Sequence, residues 1–310
     1  MLDCDCLKGS MRQAPHMTVE GKRVGIVYNA NTPRAKEVAQ GVAARLPPGM
    51  TAWVWPTSEM ESQPECTYDI DAIVTIGGDG TILRVVRAVA PLGIPLAGVN
   101  LGRIGFMTEF EESEAYEGVP QLLAGSGWTE ERAMLQTEIL GPDADKSQLS
   151  PDVYQALNDV VVGRAVVSRL VRVRAYVDGA LLATYRADAL IMSTATGSTG
   201  YNLAAGGPIL PPSSQDIIIK PVAPHLSLDT AVIVPGTSVV ELTTESASRC
   251  MVSIDGQIDL ELVPDAKVRL RRSPYVARFL RARPPIHYYA TLIQRLGLVW
   301  GQEGYRPPQT

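Results

Sequence analysis

Positive charge in excess is the first thing this chain lacks. Its 310 residues hold 28 Lys and Arg against 33 Asp and Glu, a net charge of −5. That balance argues against a general binder of nucleic acid or of anionic membranes. Long apolar runs are missing as well. The most apolar stretch, Ala88 to Val99, is interrupted by Pro91 and Pro95 and is too short to cross a bilayer. Cysteine is scarce: Cys4, Cys6, Cys66 and Cys250 do not make a disulfide framework and point to reducing, cytoplasmic surroundings. Cys4-Asp-Cys6 offers two metal ligands in a tail, too few to define a site. No secretory signal and no internal repeat is visible. What is present is ordinary for a globular protein, 45% hydrophobic and 20% charged residues, in a chain long enough for two domains.

The chain is organised around Gly77-Gly78-Asp79-Gly80-Thr81. Before it, Asp69 to Ile76 is β-branched and apolar to its end, which predicts a strand. After it, Ile82, Val85, Val86 and Val89 fall at helical spacing. Three glycines in a strand-to-helix turn let backbone approach a phosphate closely, on the unpaired N–H groups of a helix start. Asp79 is the odd member. A carboxylate beside a polyphosphate is repelled, so it needs a task, holding a cation or taking a proton. The plainer alternative is an Asp-Gly hairpin turn, which the helical pattern downstream disfavours. The stretch differs from both the Lys-containing phosphate loop and the dinucleotide glycine pattern.

Taken in order, residues 1–20 show no period and are expected to form a disordered tail. A strand is predicted over Lys22–Tyr28, a helix over about 34–46 stopped by Pro47-Pro48-Gly49, a strand over Thr51–Trp55, and a loop over 56–68. The glycine turn then leads to a helix ending near Ala90, a strand over Ile94–Val99 and a helix over about 113–124. This alternation predicts an α/β domain (21–128) with a parallel, Rossmann-like sheet and ligands beyond the strands' carboxyl ends. From Thr129 short strands dominate, near 132–140, 153–162, 168–177, 181–186, 188–194, 216–220, 231–235, 238–244, 250–254 and 258–262. They predict a β-rich domain (129–284), with Asp178-Gly179 as a hairpin turn and 141–151 as an excursion. Tyr289, Leu292, Ile293 and Leu296 form a helical stripe in a last segment (285–310) expected to return to the α/β domain.

Three polar clusters stand out in the β-rich region. Asn158-Asp159 interrupts an apolar strand; a buried pair of this kind needs a ligand or a partner loop, and a bulge or turn is an equal alternative. Tyr185-Arg186-Ala187-Asp188 lies between strands and reads equally as a hairpin. Ser193 to Pro208, rich in hydroxyls and glycines, suits anions and ribose hydroxyls. A flexible linker is the usual reading of such runs, but Tyr201, Leu203 and the preceding strand favour ordered packing.

Gly77–Thr81, Asn100-Leu-Gly-Arg-Ile-Gly-Phe106, Ala156-Leu-Asn-Asp-Val-Val-Val162 and Thr196-Gly-Ser-Thr-Gly-Tyr-Asn202 occur in the order seen in the NAD kinase family. Ala205–Pro208, Pro224-His225, Asp255-Gly-Gln257 and Leu292–Trp300 fit as well, so the chain resembles that family over about 22–300. The glycine motif alone is shared with lipid kinases and phosphofructokinases; the combination with the Thr-Gly-Ser-Thr segment is specific. The resemblance implies transfer of a phosphoryl group from ATP or polyphosphate, with Mg²⁺ or Mn²⁺, to the adenosine-ribose 2′-hydroxyl of NAD. It implies Asp79 as general base, with Gly77, Gly78, Gly80, Thr81 and Arg84 near the nucleotide. Asn158 and Asp159 match the pair holding ribose and adenine, while Arg169, Arg186 and Asp188 match positions close to the dinucleotide. Thr199, Gly200, Tyr201, Asn202, Leu203 and Ala204 match the dinucleotide-binding run, and Gln257 a residue closing the site. A homodimer or homotetramer is implied, with neither nucleic acid nor membrane as partner. The chain departs from the common pattern at Ala195 (usually Pro), Gly200 (usually Ala) and Ala189 (usually Gly), and lacks an Arg-Pro pair around Thr230-Ala231. A lipid or sugar kinase and a non-catalytic dinucleotide sensor are the competing readings; no apolar entry favours the first.

Overall fold

The structure, a computed structural model, describes residues 21–63, 67, 69–102, 105–141, 152–165, 170–244 and 249–296. The expected tail 1–20, most of the expected excursion at 141–151, Arg169 and the end of the chain beyond Leu296 lie outside them. The chain forms two compact units, residues 1–130 with 278–310, and residues 131–277.

The first unit alternates strand and helix: β1 (Arg23–Tyr28), α1 (Ala35–Ala43), β2 (Thr51–Pro56), α2 (Thr57–Ser62), β3 (Ala72–Gly77), α3 (Asp79–Val89), β4 (Leu96–Asn100), β5 (Phe110–Glu111) and α4 (Glu112–Leu123). β5, β4, β3, β1 and β2 lie side by side and all pair in parallel. β3 and β4 are buried along their whole length, as expected of strands covered on both faces. Val38 and Val42 of α1, and Ala115 and Val119 of α4, pack on that sheet with Val24, Ile26 and Val74. The parallel sheet follows the alternation in the sequence.

Residues 56–68, read as loop, contain the helix α2. Thr57 and Met60 are buried on its inner side, and Thr57 Oγ1 donates to the Tyr28 carbonyl at 3.0 Å. Six residues are fewer than two turns, too short for a periodic pattern to declare itself.

The chain then runs through β6 (Trp128–Leu140), which starts in the first unit and ends in the second. The second unit holds β7 (Asp152–Ala156), β8 (Asp159–Arg164), β9 (Val171–Val177), β10 (Ala180–Ala187), β11 (Ala189–Ser193), α5 (Tyr201–Ala204), β12 (Ile217–Val222), β13 (Val232–Val234), β14 (Val240–Thr244), β15 (Cys250–Ile254) and β16 (Ile258–Leu262). One antiparallel sheet has the order β13-β12-β11-β8-β15-β16. A second runs β10-β9-β14, with the start of β17 (Lys267–Arg281) beside β14. Val160, Val162, Leu190 and Val252 of the first meet Val173, Ala175, Leu242 and Leu270 of the second in one apolar cluster. Asp178 and Gly179 both have positive φ, 50° and 83°, the hairpin geometry expected of that pair.

β17 was not anticipated. Its 15 residues alternate only in part, and Ser273-Pro274 interrupts the pattern. Its far end belongs to the first unit, where Phe279 pairs with Leu96 of β4. The last helix, α6 (His287–Arg295), also belongs to the first unit. Its stripe differs from expectation at Tyr289, which is exposed and meets Tyr288 edge to face.

Candidate active site

In the first unit the site grows from the turn between β3 and α3. Gly77 closes the strand, Gly78 is the extended N-cap residue, and Asp79 opens the helix. The Thr81 N–H returns to the Gly78 carbonyl at 2.9 Å, and Thr81 is buried. A side chain at Gly77 would collide with Thr81 Oγ1, whereas added Cβ atoms at Gly78 and Gly80 meet nothing within 4 Å. The backbone over Gly78 and Gly80 therefore faces open space at a helix start, the arrangement that receives phosphate. The hairpin alternative for Asp79-Gly80 is ruled out, since both lie in the first turn of α3.

The Asp79 carboxylate points at the loop after β4. Its Oδ2 accepts the Phe106 N–H at 2.8 Å and its Oδ1 the Met107 N–H at 3.2 Å. Gly105 packs so closely against it that a Cβ there would lie 2.6 Å from Asp79 Cγ. The carboxylate is thus fixed in direction, and each oxygen keeps a further lone pair for a proton, a hydroxyl or a cation. Its negative charge also suits the helix N-terminus. Arg84 is exposed on α3, with Nε 3.8 Å from Glu61 Oε1.

The loop holding Asp79 is anchored by groups that sequence reasoning missed. Buried Glu109 accepts the backbone N–H groups of Ala282 and Arg283 at 2.9 and 3.0 Å. Buried Arg281 bridges Glu109 and Glu130 at 3.2 and 2.7 Å and donates to the Met107 carbonyl at 2.9 Å. These partners are separated by more than 150 positions in the chain, so no local pattern announces them.

In the second unit the pivot is Asp255. Together with Gly256 it forms the turn between β15 and β16, at φ 53° and 62°. Its Oδ1 accepts the N–H groups of Asn158 (2.7 Å) and Asp159 (3.2 Å), and its Oδ2 that of Leu157 (3.0 Å). Asn158 therefore sits in a backbone break between β7 and β8, not inside one strand over 153–162. Asp159 begins β8 and is buried. Burial, followed by the nearby charge of Asp255, pushes its carboxyl up to about 7. Asn158 Oδ1 is buried with no hydrogen-bond partner among the described residues, as is Asn202 Oδ1; each is an acceptor left for a water or a ligand.

The hydroxyl run is ordered and joins the same loop. Thr194 Oγ1 donates to the Leu157 carbonyl at 2.6 Å and accepts the Gly197 N–H at 3.1 Å. A Cβ at Gly197 would overlap the Asn158 carbonyl. Gly197–Thr199 makes a single 3-10 turn into α5, so the linker alternative fails. Asn202 is wholly buried and its amide donates to the carbonyls of Ser198 (3.1 Å) and Pro208 (2.9 Å); it is a brace. Thr199 is half-buried and bonds to the Thr196 carbonyl, while Gly200, Tyr201 and Ala204 are exposed and Leu203 is half-buried.

The other expected residues have these local partners. Asp188 forms an ion pair with Arg164 at 2.9 Å. Arg186 belongs to β10, not to a turn; its side chain is exposed and its carbonyl accepts the His225 N–H at 2.7 Å. Gln257, half-buried, follows the Asp255-Gly256 turn, with its N–H on the Ile254 carbonyl at 3.0 Å. Arg169 is outside the described residues. Among these residues no group of three His, Cys, Asp or Glu could by itself hold a metal ion.

Comparison with known proteins completes the picture. Residues 49–126 match the family model of the ATP-NAD kinase N-terminal domain, and 157–282 that of the ATP-NAD kinase C-terminal domain. An NAD kinase of Dehalococcoides mccartyi (strain CBDB1) is 39% identical over 279 residues, covering 89% of this chain and 96% of the relative. That of Chloroflexus aurantiacus (strain J-10-fl) is 36% identical over 279 residues, with 89% and 98% covered. Among solved structures, yeast NADH kinase complexed with NADH superposes with a TM-score of 0.78 at 22% identity, over 93% of this chain and 90% of its own. An NAD kinase from Archaeoglobus fulgidus in complex with ATP gives 0.69 at 23% identity, over 90% and 100%. The last two establish the shared fold. The protein is a phosphotransferase. More narrowly, it belongs to the NAD kinase family.

Proposed function

We propose that this protein phosphorylates the 2′-hydroxyl of the adenosine ribose of NAD, giving NADP, with ATP or inorganic polyphosphate as donor. The observation that carries the reading is the Asp79 carboxylate, aimed by two backbone N–H groups at a helix start whose glycines face open space. A ribose hydroxyl is a poor nucleophile at neutral pH, and a positioned carboxylate that takes its proton assists attack. In this step the 2′-oxygen bonds to the terminal phosphorus as the bond from that phosphorus to the donor's bridging oxygen breaks. The donor keeps that electron pair, and the proton passes to an Asp79 oxygen. Backbone N–H groups of the glycine turn neutralise charge on the moving group.

Asn158 and Asp159 are assigned to the ribose and adenine end of NAD, with Thr199 to Ala204 and Gln257 around it. Arg84, Arg169 and Arg186 supply positive potential in an acidic chain, and Asp188 a polar contact. The donor set suits Mg²⁺ or Mn²⁺: one carboxylate, Asp79, beside a phosphate-receiving turn, where such ions keep waters and ride on the donor's phosphates. That ion would supply charge neutralisation for the phosphates. A cytoplasmic homo-oligomer is part of the same reading.

The test is NADP formation by the purified protein from NAD with ATP or polyphosphate, each with Mg²⁺ or Mn²⁺. Absence of NADP with every donor, alongside NAD binding by calorimetry, would make the protein a sensor.

A further inference from the structure

The loop that aims Asp79 is itself gripped from the C-terminal end of the chain. Arg295, the last residue of α6, donates from Nη1 to the Phe106 carbonyl at 3.4 Å. The N–H of the same peptide group, that of Met107, reaches Asp79 Oδ1 at 3.2 Å. One planar peptide unit is therefore bonded at both ends, carbonyl to cation and N–H to carboxylate. A planar group held in this way cannot turn without losing both bonds, and a carbonyl polarised by a cation makes its own N–H a stronger donor.

The next carbonyl, Met107, is held by Arg281, whose side chain is only 8% exposed. Arg281 thus holds one carbonyl of the loop and Arg295 the carbonyl before it. The Arg295 Nε is buried with no hydrogen-bond partner among the described residues, a costly placement for a guanidinium. Burial, then the charge of Arg281, draws its pKa below the usual arginine range, and Glu109 and Asp79 oppose that fall. Its charge is felt by Asp79, and its Nη1 hydrogen bond falls on the peptide that aims Asp79.

We infer that Arg295 is a positioning residue for phosphoryl transfer: through the 106–107 peptide it fixes the direction of the Asp79 carboxylate. The inference rests on Asp79 being the general base. A small misplacement of a reacting group costs up to about 100-fold in rate, so Arg295→Ala should lower kcat about 10- to 100-fold. KM for NAD and ATP should stay within about twofold, because substrate binding is untouched. Arg295→Lys, which keeps a cationic donor, should recover most of the loss. Gly105→Ala, which presses on the carboxylate from the other side, should reproduce the kcat-only defect and serves if Arg295→Ala does not fold.

The deciding measurement is a double-mutant cycle on single-turnover NADP formation. In an Asp79→Asn background, Arg295→Ala should cost no more than about twofold, since the group it positions no longer acts as base. An equal loss in both backgrounds, a loss confined to KM, or full activity of Arg295→Ala overturns the positioning role while the base assignment stands. Wild-type rates in Asp79→Asn alone would remove the base assignment, and this inference with it.

Discussion

At the scale of single residues, the two carboxylates that matter are held by opposite means. Asp79 is half-exposed, satisfied by backbone N–H groups and placed at a helix start. Asp159 is buried beside a second carboxylate. Asp79→Asn keeps the shape but removes basicity. It is expected to slow single-turnover NADP formation about 10²–10⁴-fold with little change in NAD affinity; a rate within about threefold of wild type would count against proton abstraction. Asp159 predicts a pH dependence of stability. Its folded pKa, about 7, lies above the ordinary 3.8, so the folded protein holds that proton more tightly than the unfolded chain. The stabilisation is full below pH about 4 and is lost as pH rises to about 7, beyond which it is flat. Its ceiling is about 4 kcal/mol, shared with Asp255. Urea unfolding at pH 5 and pH 8 should show wild type losing stability relative to Asp159→Asn as pH rises. Parallel behaviour would mean that Asp159 is ionised throughout.

At the scale of elements, the glycine turn, the parallel strands and the hydroxyl run were legible in the sequence because each carries its signal locally. Asp79 follows a β-branched strand and precedes a helical stripe, and Thr194 to Asn202 lies in one unbroken run. The braces were not legible. Arg281 meets Glu109 across 172 positions, and Asp255 meets Leu157 across 98, so only the folded chain brings them together. Asn158-Asp159 looked like an interruption for a good reason: Asp255 needs three consecutive N–H groups facing it, and a continuous strand would turn alternate ones away. Asp255→Asn replaces one accepting oxygen with an amide NH₂ facing a backbone N–H. It should cost about 1.5–3 kcal/mol of stability in denaturant unfolding and weaken NAD binding by disordering Asn158. It should also lower the Asp159 pKa by removing the neighbouring charge. Unchanged NAD affinity with a destabilised fold would confine Asp255 to a structural brace.

At the scale of the whole molecule, the question is what covers the open strands of the second unit. β13 and β16 are the outer strands of their sheet, and edges of this kind invite pairing unless blunted or covered. Large apolar side chains lie exposed at both edges: Ile233 at 47% in β13, Leu226 at 90% and Leu228 at 42% in the segment before it, and Val263 at 54% just after β16. Leu226 is held at a positive φ of 51°, a conformation an exposed leucine does not choose for its own sake. Its neighbour His225 bonds through its N–H to Arg186, so the segment is pinned with leucine outward. We expect these residues to lie in an interface between copies of the chain, giving at least a homodimer through the second unit. Light scattering at micromolar concentration should then return a dimer or tetramer mass, and Leu226→Arg should shift it toward the monomer without unfolding either unit. Because Arg186 and Asp188 lie beside this segment, the same variant should raise KM for NAD while leaving Asp79-dependent chemistry intact. A wild-type monomer with full activity would show that the exposed leucines serve something other than self-association.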